Sequence, residues 1–72
     1  MERLVKGYSK TQLNEAIEEW IIGRNAIRNR EILNKKLVDG ISYMALADEY
    51  DLSLRRVKTI VRKGVEVIIE HL

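Results

Sequence analysis

Hydrophobic positions in this chain recur at intervals of three and four, and no stretch of useful length alternates as a strand would. Leu13, Ile17 and Trp20 stand at i, i+4 and i+7 behind Ser9 and Gln12, a capping box, and predict a first helix over about residues 9–22 that Gly23 ends, with Trp20 as a core anchor. A second helix is expected over about 25–38, stopping at Asp39-Gly40, with Leu33, Leu37 and then Ile41 facing inward. Ile27 and Ile32 do not share one stripe, so this helix is expected to be covered on two sides. Gly23 is the only breaker between Ser9 and Asp39, which leaves one long bent helix as an alternative.

A third, short helix over about 43–50 follows Ser42 as its cap and turns Leu46, Ala47 and Tyr50 to the core. After the turn at Asp51-Leu52, Ser53 caps a fourth helix reaching about residue 70. Val57, Ile60, Val61, Gly64, Val65 and Ile68 lie on one side of it, and Arg55, Lys58, Thr59 and Arg62 on the other. The pattern predicts an all-α fold, a small four-helix domain with a helix-turn-helix over about residues 42–64. That motif needs a small residue where its helices cross, a turn residue that tolerates positive φ, and anchors that lock the crossing. Ala47, Asp51, and the trio Leu52, Val57 and Ile60 meet these needs at the required spacing.

Composition narrows the function classes. With 72 residues the chain is one domain with a thin stability margin, and with no cysteine it has no disulfide, thiolate metal site or cysteine nucleophile. No run approaches the roughly 20 apolar residues of a membrane span, and charges occupy the start where a signal peptide needs an apolar run. A soluble, cytoplasmic protein is expected. His71 has no companion at ligand spacing, and the adjacent pairs Glu18-Glu19 and Asp48-Glu49 point about 100° apart on a helix, which does not suit a carboxylate dyad. No enzymatic activity, metal or cofactor is expected.

The net charge of +2 is unremarkable, but its distribution is not. Between Ser53 and Gly64 stand five bases and no acid, whereas between Ser9 and Ile22 Lys10 faces Glu15, Glu18 and Glu19. Such segregation gives one face a positive field without raising the total. On the second helix of a helix-turn-helix, Arg55 and Lys58 are placed for base edges, while Arg56, Arg62 and Lys63 are placed for phosphates. Ser42, Tyr43 and the start of the third helix form a further candidate phosphate contact.

Arg30-Glu31-Ile32-Leu33, then Val38-Asp39-Gly40-Ile41-Ser42-Tyr43, Leu46-Ala47 and Arg56-Val57-Lys58 resemble the fourth region of bacterial sigma-70-type factors, and LuxR-type response-regulator domains share most of the pattern. The resemblance spans about residues 29–65. It implies a four-helix domain whose last helix docks in the major groove, with Ser53, Leu54, Arg55, Arg56, Lys58, Thr59 and Arg62 on the surface that touches DNA. The expected partner is double-stranded DNA, bound by a sequence-specific transcriptional regulator. Surplus aliphatics at Ile21, Ile22, Val67 and Ile69 suggest a homodimer interface; the alternative is a sigma-like module that docks on RNA polymerase or another regulator through its apolar terminal helices.

Overall fold

The computed structural model describes residues 7–71. Helix α1 spans Lys10–Trp20, and both halves of its capping box form: the Ser9 Oγ accepts from the Gln12 N–H at 3.1 Å, and the Gln12 Oε1 accepts from the Ser9 N–H at 2.9 Å. Leu13, Ala16 and Ile17 are buried on its inner face, and Ile21 is buried just past its end. The chain then leaves helical geometry and reverses at Gly23, whose φ of +107° suits a residue without a Cβ. This break rules out a single long helix through residues 21–25.

Helix α2 spans Ala26–Leu33 and runs directly into a π-helical segment, Asn34–Val38, where one continuous α-helix was expected. In the π segment the Asp39 N–H donates to the Asn34 carbonyl at 3.2 Å, so an extra residue is fitted into the turn. The segment closes at Gly40, φ +73°, with the Ile41 N–H on the Lys35 carbonyl at 2.9 Å. Covering on two sides is also corrected. Ile32 and Leu33 are buried, but Ile27, about 140° around the helix from Ile32, is 76% exposed.

Helix α3 spans Tyr43–Tyr50, with the Ser42 hydroxyl accepting from the Ala45 N–H at 3.1 Å. Leu46 is fully buried and Ala47 and Tyr50 are half-buried. Asp51 takes the left-handed conformation, φ 53° and ψ 46°; the Leu52 N–H then reaches the Ala47 carbonyl at 3.0 Å and the Asp51 N–H the Asp48 carbonyl at 3.4 Å. That pair of bonds is a Schellman ending, and the half-buried Ala47 and Leu52 both pack against the core, as the motif favours.

Helix α4, Leu54–His71, is capped by Ser53, whose Oγ accepts from the Arg56 N–H at 3.0 Å. It packs against α1, α2 and α3, so its apolar stripe is the common wall of the core. Val57, Val61, Val65 and Ile68 are fully buried there beside Ile17, Ile32, Leu33 and Leu46. Gly64 lies in the same wall because α2 comes too close for a side chain: a Cβ built on it would sit 2.5 Å from a Leu33 methyl. Among the described residues no strand occurs, and no helix is long and apolar enough to cross a membrane.

Trp20 is not the core anchor expected of it. It remains 37% exposed at the rim and stacks face to face on His71, with ring centroids 3.7 Å apart and planes within 5°. The apolar position nearest the end of α1 is filled by Ile21 instead, and His71, assigned no role from sequence, pins the last turn of α4 to the end of α1.

Candidate nucleic-acid interface

Burying one stripe of α4 forces the opposite side into solvent, and that side carries the bases. Arg55, Arg56, Lys58, Arg62 and Lys63 are all exposed, as are Ser53 and Leu54, while Thr59 is half-buried. Acids return to the outward face at Glu66 and Glu70, so the first three turns are positive and the last turns carry acids and no lysine or arginine. The Thr59 hydroxyl donates to the Arg55 carbonyl at 3.0 Å, and the hydroxyls of Ser42 and Ser53 accept at the two caps. All three hydroxyls thereby fix backbone geometry at the positions where contact with a ligand was expected.

Eight of the ten residues singled out from sequence line two concavities that share Thr59. Tyr43, Leu54, Arg55, Lys58, Thr59 and Arg62 line a shallow concavity between the start of α3 and the outer side of α4. Arg56 and Lys63, seven positions apart and so on the same flank, border a different groove of about 640 Å³ whose other walls include Trp20, Ile22, Leu33 and Val67. Ser42 and Ser53 mark the N-termini of the two helices that bracket the first concavity.

The structure adds residues that the sequence pattern did not flag. Lys35 and Lys36, consecutive in the π segment, reach opposite ends of α3. The Lys36 ammonium stands over the Tyr43 ring, 4.2 Å from its centroid, and the Lys58 ammonium approaches the same ring at 5.8 Å. Lys35 pairs with Glu49 and lies 5.1 Å from the centre of the Tyr50 ring, whose hydroxyl donates to the Glu31 Oε1 at 2.8 Å. The Glu49 carboxylate and then the Tyr50 hydroxyl hold the Lys35 ammonium above its ordinary range. Burial pushes the Tyr50 phenol up, Lys35 pulls it partly back, and Glu31 adds to the rise. Lysines in a last helical turn ordinarily read as solvated partners of the helix dipole. Their specific neighbours come from α3, which lies alongside the π segment.

The groove bordered by Arg56 and Lys63 is the second feature of the surface. Ile22, just past the end of α1, stands 76% exposed at its edge and Ile69 on α4 is also exposed, whereas Ile21 is buried and Val67 half-buried, so only two of the four surplus aliphatics are open to a partner. Among the described residues no group of three His, Asp or Glu side chains is gathered as a metal site would require. Compared with protein-family models, curated proteins and solved structures, the chain finds no match in any of the three.

Proposed function

We propose that this chain is a sequence-specific, double-stranded DNA-binding transcriptional regulator of the cytoplasm, without enzymatic activity, whose helix α4 docks in the major groove. The reading rests above all on one observation: the first three turns of α4 present five exposed bases and no acid, on the second helix of a motif with the expected left-handed turn. A helix so placed has the width and charge to enter the major groove, and its N-terminal residues then meet base edges. The resemblance to sigma-70 region 4 and LuxR-type domains, which the chain comparisons neither add to nor remove, agrees with this placement.

In this reading Arg55, near the start of α4 on its outer flank, takes base contacts, where a bidentate arginine to guanine discriminates by about 1–3 kcal/mol. Lys63, farther along on the other flank, takes a phosphate. Titration of a fluorescent duplex selected from a random library, against a scrambled duplex, tests both roles. Arg55→Ala should narrow the affinity difference between the two duplexes, and Lys63→Ala should weaken both equally. Equal affinity of all three proteins for both duplexes would refute the assignment.

The exposed groove favours a second reading, that of a sigma-like module docking on RNA polymerase or another regulator through its apolar terminal helices. Salt separates the two. A protein neutralising about three to five phosphates loses affinity steeply as salt rises, whereas an apolar contact is nearly indifferent. The same groove also suits a second copy of the chain, and a homodimer would require half-sites about 34 Å apart, one turn of the duplex.

A further inference from the structure

We propose that Lys36, Tyr43 and Lys58 form a binding subsite for one or two backbone phosphodiesters of the bound duplex, with Lys58 holding the backbone and not reading bases. The inference rests on the DNA-binding reading and deepens it. Two ammonium groups from separate elements converge on one aromatic ring, Lys36 at 4.2 Å and Lys58 at 5.8 Å from its centroid. They are therefore no more than about 10 Å apart, roughly one Debye length at 0.1 M salt, so their positive potentials add around the ring. The quadrupole of the ring offsets part of their mutual repulsion and limits the orientations of two otherwise flexible side chains.

The position of the ring matters as much as its charge. Tyr43 is the first residue of α3, directly after the Ser42 cap, so the positive end of the helix dipole lies near the two ammonium groups. Tyr43 and Lys58 also line the same concavity as Arg55 and Arg62, which places the subsite along the edge of the surface assigned to the major groove. Lys36 lies in the π segment, and such segments occur often at functional sites. A phosphodiester suits the site because lysine binds phosphate as a point charge, without the planar fork that reads a guanine edge.

The test is the slope of log affinity against log salt for a duplex of mixed sequence, together with the affinity ratio between a selected and a scrambled duplex. Lys36→Ala and Lys58→Ala should each flatten the slope by about 0.9, the value for one phosphate, and leave the ratio unchanged. Tyr43→Leu should flatten the slope while α3 remains folded. If the wild type binds duplex but Lys36→Ala keeps its full slope, the subsite is refuted and the DNA-binding reading stands. If Lys58→Ala keeps the slope and loses the ratio, Lys58 reads bases and the subsite is likewise refuted. Failure of the wild type to bind any duplex at low salt would overturn both.

Discussion

Asp51 shows how much one residue decides. Its left-handed conformation ends α3, admits the Leu52 bond to Ala47, and directs the chain into the Ser53 cap of α4. Left-handed geometry costs an ordinary L-residue about 1–2 kcal/mol, and aspartate tolerates it better because its short carboxylate bonds locally. Replacing it with glycine removes the strain but adds freedom to the unfolded chain, and the two effects oppose each other. Urea unfolding should therefore find Asp51→Gly within about 1 kcal/mol of the wild type and Asp51→Val less stable by about 1–2 kcal/mol. This turn was legible in the sequence because its requirements are local: a residue that accepts positive φ, a serine two positions on, and apolar anchors at fixed spacing. The Trp20–His71 stack was not legible. Nothing in the spacing of two residues 51 positions apart says that their rings will meet.

At the scale of elements, α2 presses on α4 at Gly64. A glycine inside an 18-residue helix costs about 1 kcal/mol relative to alanine, so propensity alone favours Gly64→Ala. Packing reverses that preference, since the new methyl would fall 2.5 to 2.7 Å from both Leu33 methyls in a fully buried site, and overpacking of this kind costs about 1–3 kcal/mol. Gly64→Ala should lower the unfolding free energy by about 1 kcal/mol. Combined with Leu33→Ala, which alone opens a cavity costing about 2–5 kcal/mol, the pair should lose less than the sum of the single changes, a coupling that a double-mutant cycle measures. The sequence marks Gly64 as anomalous within a strong helix, but the reason belongs to α2. The π segment is harder still: Asn34–Val38 carries no proline or glycine, and its composition suits an ordinary α-helix. The segment packs against α1 and its two lysines reach α3, neighbours that the local sequence does not name.

The whole molecule is a flattened body of about 30 × 24 × 16 Å with charge segregated over its surface. Glu15, Glu18 and Glu19 are exposed on α1, and the bases of α4 are exposed opposite its core stripe. Along α4, between it and the residues at the end of α1 and on α2, lies the groove with Ile22 at its rim, the feature on which the proposed homodimer depends. Sedimentation of the free protein should show an average mass that rises with concentration, and Ile22→Asp should hold it at the monomer, because dimer formation would desolvate the new carboxylate without a partner. A strict monomer at high concentration would instead leave the groove to a different protein and favour the docking reading. A core this small leaves a thin margin of stability, so any partner that binds only the folded chain raises it.

The sequence by itself determined the class of fold, the positions of the caps and turns, the membership of the α4 core stripe and the exposure of its bases. Each follows from helical periodicity and from side chains acting on their own backbone within a turn. Only the tertiary structure decided which cations share a surface, why a glycine stands inside the strongest helix, and that α2 ends in a π turn. Those outcomes depend on where separate helices lie relative to one another, and that arrangement is set by simultaneous packing of all four against one core.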